Sequence, residues 1–187
     1  MRLDSKNIDR EIRQYLEEVN RIELPTPQED ILVFIDSLKR KPLGSGPYPK
    51  VSLFEASNRI MSDLIVLFGV RQLLTQGAVG HNRLPFREYV VHLGVEGGSD
   101  LEAAAEGQRL IGEAFNVAPS FFQEKKRNMK KKLLQSVNRA DYRLIIFNAD
   151  AVRSSDHYIE KSEKDMLYLP VDVWVERCNF MEGQHKC

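Results

Sequence analysis

Asp100 and Glu113 are two carboxylates, thirteen positions apart, whose spacing suggests chemistry in this 187-residue chain. The segment between them reads as two short strands joined by a turn at Glu106-Gly107. With a two-residue turn, Ala105 faces Gln108, and counting back along both strands sets Asp100 opposite Glu113. Such partners keep their Cβ atoms about 4.5–5.5 Å apart on one face of the sheet. Two like charges that close repel unless a cation lies between them, so the pair is a candidate site for a divalent metal. A four-residue loop preserves this pairing. A three-residue loop with a bulge shifts it by one and sends the carboxylates to opposite faces. Glu-Gly is a weaker turn signal than Asn-Gly, because Glu tolerates positive φ poorly. By itself the hairpin reads more plainly as a solvated one, since surface Asp and Glu are common.

A dense run of cations follows the hairpin. Lys125, Lys126, Arg127, Lys130, Lys131 and Lys132 fall within eight residues of a segment with helical spacing. At 3.6 residues per turn they wrap most of its polar circumference. A charge run of this kind is ordinarily a solvated helix face. Its functional reading is contact with phosphates, which adds sequence-independent, salt-sensitive affinity. Its place immediately after the acidic hairpin favours that reading. Metal-binding carboxylates beside a cation cluster are what a phosphodiester substrate needs.

The surrounding elements follow from periodicity. Residues 6–22 carry Ile8, Ile12, Leu16, Val19 and Ile22 at helical spacing, with Asp4 or Ser5 as cap. Residues 28–38 predict a second helix with Ile31, Phe34, Ile35 and Leu38 on one stripe, and Lys39, Arg40 and Lys41 at its C-terminal end. A Pro- and Gly-rich linker, 42–49, follows, so residues 1–45 are expected as a helical N-terminal arm and 46–187 as the main domain. Residues 51–74 are apolar nearly all round and predict a buried central helix. Glu55 lies on it four positions before Arg59, a spacing that gives a local ion pair worth a few tenths of a kcal/mol. On a mostly buried helix that carboxylate is also a candidate to face a polar site. Residues 75–85 read as a loop and 86–95 as a strand, with His92 opposite its regular apolar stripe. Residues 123–137 predict the basic helix, 141–147 a buried strand, 148–165 a loop or short helix, and 167–176 a last strand with Trp174 opposite Val171, Val173 and Val175.

Composition removes several alternatives. Lys plus Arg and Asp plus Glu are 27 each, so overall charge gives no signal for nucleic acid and only local clustering can. At 42% hydrophobic and 29% charged, the chain reads as a soluble globular protein with a sizeable core. Cys178 and Cys187 form neither a disulfide framework nor a metal motif and fit a reducing cytoplasm. There is no apolar signal core, and no run approaches the roughly 20 apolar residues that span a membrane, so no membrane partner is expected. Gly94, Gly97 and Gly98 lack the Lys-Ser/Thr of a phosphate-binding loop.

The order of elements is a core helix with Glu55, a strand, a hairpin with Asp100 and Glu113, a helix and a further strand. Over residues 50–147 it resembles the restriction endonuclease-like PD-(D/E)xK nuclease superfamily. That resemblance implies an α/β (α+β) fold with a mixed central β-sheet flanked by helices. Asp100 matches the first motif acid, Glu113 the second, and Glu55 the acid that a helix often contributes. Ser99 stands where the motif has Pro, and Phe115 where it has Lys. A phenyl ring cannot orient water, so the resemblance moves that role to Lys125 or Lys126. It implies a Mg²⁺ (or Mn²⁺)-dependent endonuclease acting on DNA, of the restriction or phage-defence kind. Asp100, Glu113 and Glu55 would serve the metal and the basic helix the phosphates, with a homodimer as an option. A catalytically inactive nuclease-fold subunit that binds nucleic acid or assists assembly is the alternative, and Phe115 is its support.

Overall fold

The computed structural model describes residues 1–26, 30–94, 98–135, 140–152 and 166–182. Its elements are β1 (Arg2–Asp4), α1 (Ile8–Asn20), α2 (Ile31–Arg40), α3 (Leu53–Gln76), β2 (Ala78–Val79), β3 (Asn82–Arg83), β4 (Glu88–Val91), β5 (Leu101–Ala105), β6 (Gln108–Phe115), α4 (Phe122–Gln135), β7 (Tyr142–Asn148), β8 (Met166–Val171) and α5 (Val173–Glu182). The expected mixed sheet flanked by helices is present. Six strands run in the order β1-β4-β5-β6-β7-β8. The first four pair antiparallel, and β6, β7 and β8 run parallel.

Two apolar layers enclose this sheet. On one face α3 is the centre: Ile65, Leu67, Phe68, Val70 and Leu73 are fully buried, as the all-round apolar sequence of that helix requires. Gly69 lies where α3 crosses β7, and a Cβ there would come within 2.9 Å of Ile146, so glycine permits the close approach. Helices α1 and α5 pack beside α3, with Phe68 and Phe180 edge to face at 6.4 Å. On the opposite face α4 covers β6 and β7 through Ile111, Phe115, Phe122, Leu133, Ile145 and Phe147.

Several local expectations are corrected. Residues 1–45 are not wholly helical, because β1 forms the edge strand against β4. The Asp4 carboxylate accepts from the N–H groups of Lys6 and Asn7 and closes the turn between β1 and α1, leaving Asn7 at the helix cap. In α2 only Phe34, Ser37 and Leu38 are half-buried, while Ile31 and Ile35 are exposed. The loop at 75–85 contains the small hairpin β2–β3. The last strand stops at Val171, because the Asp172 carboxylate accepts from the N–H groups of Trp174 and Val175 and starts α5. Trp174 is therefore an exposed helical residue, and the tail from Arg177 is helical as far as Glu182. Cys178 is exposed, and Cys187 lies outside the described residues. Among the described residues no helix is long and apolar enough to cross a membrane.

Candidate active site

The hairpin has the register that the two-residue turn demands. Glu106 and Gly107 take φ of 53° and 78°, and the pairs run from Ala105 with Gln108 to Leu101 with Gly112. The pairing ends there, so the expected Asp100–Glu113 pair lies one step beyond the paired residues, and the two side chains line different clefts. Asp100 lies just beyond the end of β5, where the strand bends. Its carboxylate accepts the Ala114 N–H at 2.7 Å, and its carbonyl accepts the His92 N–H at 3.0 Å. The residue is thus fixed by the backbones on both sides of it. Glu113 is 3% exposed and shares the α4 side of β6 with Ile111 and Phe115.

Both acids sit where ionisation is costly. Burial pushes the Asp100 carboxyl above its usual range, against the Ala114 N–H and the charges of Lys132, Lys125 and His92. Burial likewise pushes Glu113 up to about 7, opposed by the hydrogen bond from Lys132 and reinforced by the charge of Asp100.

The cation that answers Glu113 comes from α4. Lys132 Nζ donates to Glu113 Oε2 at 2.7 Å. Lys125 lies seven residues earlier on the same stripe of the helix and acts electrostatically on both acids. Lys126 is turned elsewhere, its ammonium 5.8 Å from the Phe122 ring centroid and 5.5 Å from that of Tyr168. Lys131, Lys132 and Asn128 line a cleft of about 580 Å³ with Glu113, Ser99 and Glu102. Arg127 is exposed and Lys130 half-buried on other sides of the helix. Phe115 is 2% exposed between the Phe122 and Phe147 rings, each with its centroid 6.0 Å away. It docks α4 on the sheet, and α4 in turn carries Lys132 back to Glu113.

Glu55 is not brought to this site. It lies in the first turn of α3, about half exposed and bonded to Arg59 at 2.6 Å. The acid that α3 does contribute is Asp63, about 12 Å further along the helix at 1.5 Å per residue. Asp63 is 6% exposed and lines a second cleft, about 320 Å³, together with Asp100, His92, Arg59 and Tyr48. Its carboxylate accepts the Tyr15 hydroxyl at 2.6 Å, the Tyr48 hydroxyl and the Gly94 N–H. Burial raises its pKa, the three hydrogen bonds lower it, and the charge of Asp100 raises it further. The sequence signal for Asp63 was an acid inside the apolar run from Ile60 to Phe68. Glu55 instead stands at the polar end of the same helix.

Asp100 thus shares the Asp63 cleft, while Glu113 lines the other, beside Lys132. Among the described residues no group of three or more His, Cys, Asp or Glu side chains is arranged to hold a metal ion. The chain matches no protein-family model, no curated protein and no solved structure.

Proposed function

We propose that this protein is a metal-dependent nuclease of the PD-(D/E)xK kind that hydrolyses phosphodiester bonds in DNA. The observation that carries the reading is the pair Glu113 and Lys132 beside Asp100: a buried carboxylate and a half-buried one at one end of a hairpin, with an ammonium from the next helix on the buried one. The element order α3–β4–β5–β6–α4–β7, with β6 and β7 parallel, supports it as well.

Mg²⁺ or Mn²⁺ fits the donor set. Both acids offer hard oxygen ligands, and Mg²⁺ is usually held by one or two carboxylates together with substrate phosphate and water. The residues that would hold it are Asp100 and Glu113. When bound, such an ion polarises the phosphate and lowers the pKa of a water. Lys132 takes the part of the missing motif lysine, holding the attacking water near Glu113 and steadying charge that develops on the phosphate. Lys125 adds positive potential at the same acids. Arg127, Lys130 and Lys131 contact the flanking phosphates, while Lys126 stays over the Phe122 and Tyr168 rings. Asp63, rather than Glu55, is the helical acid that backs Asp100.

The test is plasmid cleavage in Mg²⁺ and Mn²⁺, with calorimetric titration of the same ions, for wild type, Asp100→Ala, Glu113→Ala and Lys132→Ala. Wild type is expected to cut the plasmid and bind the ion. Both acid variants are expected to lose binding and cleavage, and Lys132→Ala to bind the ion but lose cleavage at least about 100-fold. Cleavage that survives in Asp100→Ala or Glu113→Ala sinks the reading.

The burial of Phe115 favours one other reading, an inactive nuclease-fold subunit that binds nucleic acid. It predicts no cleavage by wild type. It also predicts DNA affinity that falls steeply with salt, with a slope reduced by about one for each phosphate-contacting Lys removed from α4.

A further inference from the structure

Helices α1 and α5 both pack on α3, and where the three meet the surface opens into a cleft of about 490 Å³. Small-molecule sites occupy roughly 300–1,000 Å³. The cleft shares no lining residue with the two clefts at Asp100 and Glu113. Its lining is largely apolar: Ile60 and Leu64 of α3 and Phe180 of α5 are buried, and Leu16 and Val19 of α1 are half-buried. Trp174 and Met181 line it too, yet remain 65% and 43% exposed. Both offer large, polarisable apolar area that a ligand would take out of water.

The charges on the lining say what fits it. Arg13 of α1 and Arg177 of α5 both line the cleft, and both are exposed. Among the described residues neither has a hydrogen-bond, ion-pair or aromatic partner. Arg13 does not pair even with Glu17, although four residues along a helix is the spacing of a local ion pair. Glu17 is the one carboxylate on the lining, so two positive charges stand against one negative. A guanidinium presents a planar fork of donors that matches a carboxylate. An apolar cleft with two unspent guanidinium groups and one net positive charge therefore complements a molecule with an apolar tail and a single negative head.

We propose that the cleft where α1, α3 and α5 meet binds an amphipathic monocarboxylate of the fatty-acid class. The tail lies against Ile60, Leu64 and Trp174, and the carboxylate is held by Arg13 and Arg177. The proposal does not depend on the nuclease reading. A ten-carbon acid has few atoms with which to gain affinity, so a dissociation constant of about 10–500 μM is expected. Affinity rises with tail length while methylenes still enter the cleft.

Trp174 is the single tryptophan of the chain, so its fluorescence reports on this cleft. The test titrates decanoate into the full chain, following Trp174 emission and, in parallel, the heat of binding. Both signals should saturate together. Hexanoate, shorter by four methylenes, should bind at least about 10-fold more weakly. Decylamine, with the same tail and a positive head, should also bind at least about 10-fold more weakly. The double variant Arg13→Gln, Arg177→Gln should lose at least about 10-fold in decanoate affinity. Both arginines are exposed, so its circular dichroism and thermal melting should match wild type. Neither signal saturating by about 2 mM decanoate overturns the proposal. Equal affinity for decylamine overturns it, as does decanoate binding unchanged in the double variant. So does a Trp174 response to phosphatidylcholine vesicles with none to free decanoate, which would make the cleft a membrane contact.

Discussion

Glu113 shows how one residue couples stability to chemistry. Its carboxyl is raised from an ordinary value near 4.5 to about 7, chiefly by burial. Between those pH values the folded protein keeps a proton that the unfolded chain has released. The stability contribution of Glu113 is therefore fully present below about pH 4.5 and is lost as pH rises through about 7. Urea melts at pH 5 and pH 8 should show this decline in wild type and a flatter one in Glu113→Gln, which keeps an acceptor for Lys132. An unchanged decline in that variant rules out Glu113 as its source. Lys132→Met removes the hydrogen bond that holds the carboxyl down and should steepen the decline. The hairpin register from Ala105–Gln108 to Leu101–Gly112 was legible because it follows from local pattern alone. Lys132 as the partner of Glu113 was not, because the angle at which α4 crosses β6 is set by Phe115, Phe122 and Phe147 packing together.

At the scale of elements, the β5–β6 turn sets the hairpin register at a local cost. Glu106 adopts φ of 53°, a left-handed conformation that disfavours a side chain with a Cβ by about 1 kcal/mol. Glu106→Asn should stabilise the protein by about 0.5–1 kcal/mol, read as a higher urea midpoint with an unchanged slope. Lower stability would mean that the Glu106 side chain makes a contact worth more than the strain. Helix α3 was legible because a nearly continuous apolar run of that length has few other solutions. Helix α5 was not. Val171, Val173 and Val175 alternate as a strand would, yet Asp172 captures two N–H groups and turns the chain into a helix whose Phe180 completes the packing on α3. In that segment a local cap and a distant contact together outweighed the period-two pattern.

At the scale of the molecule, Asp63 ties together parts of the chain that are far apart in sequence. Tyr15 on α1, Tyr48 in the linker and the Gly94 N–H all converge on its carboxylate, and the segment that follows Gly94 leads to Asp100. Removing either hydroxyl leaves a buried carboxylate short of a donor. Tyr15→Phe and Tyr48→Phe should each cost about 1–3 kcal/mol. The double variant should depart from the sum of the two, because both act on one acceptor. Additive losses in a double-mutant cycle would show that the two tyrosines act independently. The sequence by itself determined the fold class, the central helix, the two-residue-turn register of the β5–β6 hairpin and the cationic character of α4. Each of these follows from periodicity, turn geometry or charge within a short stretch. Tertiary structure alone decided that Asp63 rather than Glu55 approaches Asp100, that Lys132 rather than Lys126 reaches Glu113, and that α2 leaves its apolar side uncovered. Those outcomes depend on how helices cross the sheet, and crossing geometry is fixed by side-chain packing between segments distant in the chain.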